Sequence, residues 1–107
     1  MVSVTYLPKC CKVTVKGHAN SAEYGHDLVC AAVSILIYTL AANALELKHE
    51  GYTKDVFIDL DEGDSEVSVV PKRKGKQRVK SAMTSVCFGF ELLSQQYPAN
   101  ISYEIKT

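Results

Sequence analysis

Residues 17–34 read GHANSAEYGHDLVCAAVS, and this stretch joins a strand to the long apolar helix on which the fold depends. It places His18 directly after an alternating strand and Cys30 near the start of the helix. The residues between them have neither the two-residue period of a strand nor the period of a helix, so we expect a loop. Asp27 is a good N-cap candidate and predicts a helix from there to about Lys48.

Strands are predicted on both sides of this stretch. Residues 2–7 and 10–16 alternate between apolar and polar side chains, which predicts two antiparallel strands with Cys11, Val13 and Val15 on one face. The remaining predicted elements are a hairpin (55–60 and 66–70), a second helix (77–96) and a last strand (101–105).

The predicted order ββαββαβ favours an α+β fold, with a five-stranded, mostly antiparallel sheet and two helices packed on it. At 107 residues we expect one domain over residues 1–107. The first helix is so apolar that it predicts a central helix, covered on most sides. Because Ser34, Thr39 and Asn43 interrupt its apolar run, we expect no membrane span and no membrane partner.

Charge and cysteine content narrow the class of protein. Twelve basic and twelve acidic side chains cancel, so the overall charge favours neither a nucleic acid nor a membrane surface as partner. The cysteines are Cys10, Cys11, Cys30 and Cys87. They form no CxxC pair of a structural zinc site. Since the N-terminal residues lack an apolar signal segment, we expect reduced thiols and a cytoplasmic location.

The residues around Cys30 could support cysteine chemistry. A thiol in the first helical turn lies near free N–H groups and the positive end of the helix dipole, which favour a thiolate. His18 could take the thiol proton, although His26, four residues before Cys30, competes for this role. Asp27 could orient the imidazole or simply cap the helix, and Ser34 lies one turn beyond Cys30 on the same side.

Two other interpretations fit the same spacing. A cysteine on an apolar helix more often serves as a small packing residue than as a nucleophile. Alternatively, His18, His26 and Cys30 could bind a metal, although their spacing matches no common zinc pattern. Spacing alone does not decide between a nucleophile, a packing residue and a ligand.

This stretch closely resembles the signature of the ribosomal-processing cysteine protease family, Prp. The signature is a GHA element, a short spacer closed by glycine, and then D-x-VCAAVS, which stand here at residues 17–19, Gly25, Asp27 and residues 29–34. The resemblance implies Cys30 as nucleophile, His18 as base and Asp27 as a supporting residue, with no metal or other cofactor.

The resemblance also implies a fold and a substrate. The fold has two helices on one face of a five-stranded sheet and is often a homodimer. The implied substrate is a precursor of a large-subunit ribosomal protein, from which the enzyme cleaves an N-terminal extension during bacterial ribosome maturation. We expect residues 19–25 to form a mobile lid over the site. The residues expected to contact substrate are Gly17, Ala19, Tyr24 and Gly25.

The alternative function is a non-catalytic ribosome-assembly module that binds ribosomal RNA. It would use residues 72–80, which run from Lys72 to Lys80 and include six Lys or Arg. No aromatic residue stands between these charges, so a base-stacking surface is not indicated.

Overall fold

A computed structural model describes residues 1–17 and 26–107, with the backbone alone described for His26 and Asp27. The elements are β1 (Val2–Leu7), β2 (Lys12–Lys16), α1 (His26–His49), β3 (Thr53–Asp61), β4 (Asp64–Pro71), α2 (Lys76–Gln96) and β5 (Ile101–Ile105). Single 3-10 turns at Pro8–Cys10 and Arg73–Gly75 precede β2 and α2. The predicted α+β class and the order ββαββαβ are confirmed.

The described strands form one mixed sheet in the order β3-β4-β2-β1-β5. β2 is antiparallel to β1 and to β4, and β3 is antiparallel to β4. β5 returns to the far side of β1 and pairs with it in parallel. The sheet is therefore mostly antiparallel, as predicted, with the parallel pair made by a crossover through α2.

The connection from β1 to β2 differs from the prediction. β2 begins at Lys12, so Cys10 and Cys11 do not alternate across a strand. Pro8 opens a 3-10 turn because its fixed φ suits the first turn position. Cys11 closes the turn in the left-handed region at φ 47, and its N–H donates to the Pro8 carbonyl at 3.2 Å.

The inner face of the sheet and the two helices enclose the core. Val4, Val13 and Val67 of the sheet are buried against Leu40 of α1 and Phe90 of α2. The Tyr6 hydroxyl reaches the hydroxyl of Thr84 on α2 at 3.2 Å, which ties the sheet to that helix.

The helices leave one apolar surface uncovered. The prediction that α1 is covered on most sides is wrong, because no element of the described residues lies above the helices of this two-layer fold. We call the uncovered surface the outer apolar face; its large side chains are 53–61% exposed and are Leu28, Ile35, Tyr38, Leu45, Phe88 and Leu92. Leu36 of α1 fills the space beside Gly89 of α2, so the two helices meet there.

α1 also has the length and hydropathy of a membrane-crossing helix. From Leu28 to His49 its most apolar window has a mean hydropathy of 2.1. Its inner face packs on the sheet, and the core helix of a two-layer domain can have the same length and hydropathy. That the protein has no membrane partner stays a prediction.

α1 and β3 run in opposite directions, which defines two ends of the domain. Just after α1 the Tyr52 N–H donates to the Leu47 carbonyl at 3.0 Å, and β3 starts at the next residue. The Tyr52 carbonyl then accepts from Lys72 N–H at 2.9 Å. We call this the base end. The β3–β4 turn, at Glu62 and Gly63, lies at the opposite end, here called the turn end.

Candidate active site

β2 delivers the chain to the turn end through Gly17. The N–H of Gly17 donates to the carbonyl of Gly63 at 2.9 Å. Gly17 has φ +103, and a Cβ there would collide with the carbonyl oxygen of Met1. Only glycine fits both requirements. The residue just before His18 is thus fixed against the β3–β4 turn.

The start of α1 differs slightly from the prediction. The helix begins at His26, one residue before the predicted N-cap, so Asp27 lies inside the first turn. Cys30 is then the fifth helical residue and opens the second turn, not the first as predicted. The N–H groups without helical partners belong to the residues before it, including Asp27 and Leu28. Val29 is fully buried and anchors this end of α1 to the core.

Cys30 is partly exposed on the side of α1 that faces away from α2. At 100° per residue, Cys30 lies about 120° around the helix from Leu36, which contacts α2 at Gly89. α1 packs on β3 and β4, so the side away from α2 faces the β3 edge of the sheet. Since helices rise about 1.5 Å and strands about 3.3 Å per residue, Cys30 is level with the last residues of β3.

The structure brings part of the predicted site together. Gly17 and Cys30 both lie at the turn end, and Ser34 is exposed one turn beyond Cys30. Other predicted residues lie outside the described ones: His18, Ala19, Tyr24 and Gly25. The predicted lid, residues 19–25, also lies outside them. Their roles stay predictions, as do those of the His26 and Asp27 side chains.

The other cysteines have surroundings that suit packing or exposure. Cys87 is buried on α2, and burial raises its pKa to about 11. Burial also raises the pKa of Cys11, with a further contribution from neighbouring Cys10. Cys10 itself is exposed, on the turn between β1 and β2. Cys30 differs from these three cysteines because it lies near the start of a long helix.

Acidic side chains surround the turn end. Five of the twelve carboxylates fall in residues 59–66, and cross-strand pairing brings Asp59 opposite Glu66 and Asp61 opposite Asp64. The charge of Asp61 is the main cause that raises the pKa of Asp59. The predicted hairpin contains these residues, but the sequence did not show that they lie at the same end of the fold as Gly17.

Lysines of β2 offset part of this charge. Lys16 Nζ lies 3.6 Å from Asp64 Oδ1 and Lys12 Nζ lies 3.5 Å from Glu66 Oε1.

At the base end the surface charge is positive. All six basic residues of the segment 72–80 are exposed there, and Arg78 Nη2 lies 3.9 Å from Glu50 Oε1. The segment is a 3-10 turn and the start of α2, with Gly75 and Val79 buried.

No metal centre is evident in the part of the chain that the structure describes. Within it, no three His, Cys, Asp or Glu side chains are grouped to hold a metal ion. The alternative metal site of His18, His26 and Cys30 lies partly outside that part of the chain and stays untested.

Most of the chain, and not this one corner alone, matches a known family. The family model for cysteine protease Prp matches residues 1–102. The chain belongs to the Prp cysteine protease family. Members of this family are hydrolases that cleave peptide bonds through a cysteine. No curated protein matches the chain in sequence.

Solved structures of similar proteins share the fold. The ribosomal processing protease Prp of S. aureus in complex with a substrate peptide superposes with a TM-score of 0.74, at 19% identity, covering 99% of this chain and 100% of that one. The same protease with a covalently linked product peptide gives a TM-score of 0.73, at 20% identity, with 99% and 100% covered. SMU.848 from Streptococcus mutans gives 0.67, at 24% identity, with 99% and 92% covered.

Proposed function

We propose that this Prp family member is a cytoplasmic endopeptidase that removes the N-terminal extension of a large-subunit ribosomal protein. Cys30 is the nucleophile, His18 its base and Asp27 the residue that supports the imidazole. The observation that carries the proposal is the position of Cys30, partly exposed at the turn end where β2 and Gly17 also end. The family match over residues 1–102 supports it.

The first half of the reaction forms a thioester. His18 takes the proton of Cys30, and the thiolate sulfur attacks the carbonyl carbon of the scissile peptide bond. Free N–H groups in the first turn of α1, such as that of Leu28, would stabilise the oxyanion. The C–N bond then breaks, and the imidazolium of His18 gives its proton to the departing amine.

The second half releases the extension. His18 takes a proton from water, and the hydroxide attacks the thioester carbon. The C–S bond breaks, the imidazolium of His18 returns its proton to the sulfur, and the released acid ionises to a carboxylate. Prp of S. aureus has been seen with a covalently linked product peptide, which is the type of adduct that a nucleophilic cysteine forms.

The test is cleavage of the precursor of the ribosomal protein that carries such an extension. We expect the protein to convert it to the mature form, with a single cut found by mass mapping. Cys30→Ser should abolish cleavage. Cys10→Ser, which changes an exposed thiol on the turn between β1 and β2, should leave cleavage unchanged. Normal cleavage by Cys30→Ser would overturn the assignment of the nucleophile.

A second function is favoured by the exposed basic residues at the base end. The six Lys and Arg of residues 72–80 could bind ribosomal RNA and so hold the enzyme near its substrate. Alternatively, the protein could bind the RNA as a non-catalytic ribosome-assembly module. Binding of a ribosomal RNA fragment should then weaken steeply with salt. Neutralising Lys72, Arg73 and Lys74 should reduce the salt dependence, and an unchanged dependence would exclude this role.

We also propose that a second copy of the chain covers the outer apolar face. Six large apolar side chains, each more than half exposed, leave on the order of 600 Å² of apolar surface, the upper end for a monomer. A stable interface buries about 800 Å² on each partner, so this face could supply most of one.

Sedimentation of two single variants tests this homodimer. Ile35→Lys places a charge in the centre of the outer apolar face and should give a monomer. Thr39→Lys places the same charge on α1, at a position that is exposed but polar, and should disturb the dimer less. A native protein that sediments as a monomer at micromolar concentration would rule the dimer out.

A further inference from the structure

β3 is the outermost strand at one side of the sheet. Within residues 1–17 and 26–107, it pairs with β4 alone, so half of its backbone N–H and C=O groups point away from the sheet. The strand runs over Thr53–Asp61, which is long for an edge strand. Such an edge is a template on which another extended chain can form a strand.

The free edge of β3 runs along the side of α1 that carries Cys30. α1 packs on β3, and Cys30 faces away from α2 towards this edge. Because α1 and β3 are antiparallel, Cys30 is level with the end of β3 near Leu60. A peptide paired with β3 would therefore pass beside the thiol.

The two faces of β3 differ in chemistry. Val56, Ile58 and Leu60 stand opposite the inner-face residues of β4, so they lie on the helix side of the sheet. Phe57, Asp59 and Asp61 stand on the other side and are exposed. An added strand would place alternate residues beside an apolar row and beside a row in which two carboxylates follow Phe57.

We propose that an extended polypeptide segment with alternating apolar and basic residues binds as a sixth strand on the free edge of β3. This proposal rests on the proposed function, because the segment would be part of the ribosomal protein precursor. Its apolar side chains contact Val56, Ile58 and Leu60. Its Lys or Arg side chains lie beside Asp59 and Asp61, whose negative charge is the complementary one.

The strand itself limits where the segment binds. The register of the β3–β4 pair shifts between Thr53 and Asp55, and this irregularity interrupts the edge near the base end. Residues 56–61 remain regular, and the end of this stretch near Leu60 is the part level with Cys30. The other outer strand, β5, contacts α2 and covers five residues, Ile101–Ile105, so it offers a shorter edge away from the thiol.

The binding test uses the full chain carrying Cys30→Ser, so that no substrate is consumed. The probes are a short synthetic peptide that alternates Val with Lys, and the same peptide with Gln in place of Lys. We expect the Lys peptide to slow amide hydrogen exchange at the outward-pointing N–H groups of residues 56–61. The Gln peptide should bind about tenfold more weakly.

Charge reversal on the two edges provides the matched control. Asp59→Lys combined with Asp61→Lys should weaken binding of the Lys peptide by about tenfold or more. Glu104→Lys, at an exposed carboxylate on β5, should change it less than about twofold. Replacing Asp59 removes repulsion among neighbouring carboxylates, so the double variant should fold.

The outcomes separate this proposal from the proposed function. The β3 proposal is overturned if the native protein cleaves the precursor but peptide binding leaves residues 56–61 unprotected from amide exchange. It is also overturned if Glu104→Lys weakens binding as much as the β3 variant does. If residues 56–61 are protected but no precursor is cleaved, the β3 edge is a peptide-binding edge and the protease function fails.

Discussion

Gly17 and Gly63 join the end of β2 to the turn between β3 and β4 by one backbone hydrogen bond of 2.9 Å. Both residues have positive φ, at 103° and 78°. The bond fixes the last described residue before His18 against the strand pair that runs beside α1. The geometry of the proposed site therefore depends on two glycines that carry no reactive group.

Replacing Gly17 should damage both stability and activity. Gly17→Ala forces an alanine to φ +103 and places a Cβ against the carbonyl of Met1, at a cost of about 2 kcal/mol or more. Gly51→Ala is the matched control, because Gly51 also has positive φ but has open space around it. It should cost about 1 kcal/mol in urea unfolding and spare activity. Equal losses of activity in both variants would contradict the role given to Gly17.

The thiols should differ in their rate of alkylation. Iodoacetamide at neutral pH should modify Cys30 first, then exposed Cys10, and Cys11 more slowly because burial raises its pKa. Cys87 should stay unmodified in the folded protein, since its pKa is about 11 and it is buried. Mass spectrometry of peptides over time measures the order. A faster reaction at Cys10 than at Cys30 would contradict an activated Cys30.

The identity of the base is tested by two histidine variants. In single-turnover cleavage of the precursor, His18→Ala should lose nearly all activity, since base and nucleophile act as a unit. His26→Gln should keep most activity. The base is misassigned if His26→Gln is inactive and His18→Ala still cleaves. Asp27→Ala should give an intermediate rate.

Stability should depend on pH through Asp59. Asp61 above all raises the pKa of Asp59, with further contributions from burial, Asp64 and Glu66, so the folded state disfavours its charged form. Stability from this group is therefore fully present below its unfolded pKa of about 3.9 and is lost as pH rises through the folded value. Asp59→Asn should raise the urea midpoint at neutral pH.

The same variant should have no advantage in acid, where Asp59 is protonated in both states. Added salt should shrink its gain at neutral pH, because the repulsion is exposed to solvent. Asp55→Asn, on the same strand but outside the pairs with Glu66 and Asp64, is the control and should show a smaller gain. A gain that persists in acid would show that charge is not its cause.

The strands and helices could be predicted because their patterns are local. β1 occupies the predicted residues 2–7, and Val13 and Val15 are buried on one face as their alternation indicates. The prediction of β2 is wrong at its start, where the alternating pattern and the backbone geometry disagree. Cys10 and Cys11 fit the alternation, but Pro8 starts a turn that ends with Cys11 in the left-handed region.

The long-range relationships were not visible in the sequence. Nothing local shows that β5 pairs in parallel with β1 or that Gly17 bonds to Gly63. The exposure of Ile35 and Tyr38 depends on how many layers the fold has, which the helix pattern does not encode. The candidate site was found through the signature around His18 and Cys30, and the structure adds the β3 edge and the acidic turn beside it.

The separation of charge between the two ends gives a neutral protein a large electric dipole. Five of the twelve acidic residues lie in residues 59–66 at the turn end, and six of the twelve basic ones lie in residues 72–80 at the base end. Because its net charge is zero, such a molecule is not moved by a uniform electric field, but the field of a nearby polyanion orients it before any contact forms. Beside ribosomal RNA it would turn its base end inward. Cys30 and the acidic turn would then face away from the RNA.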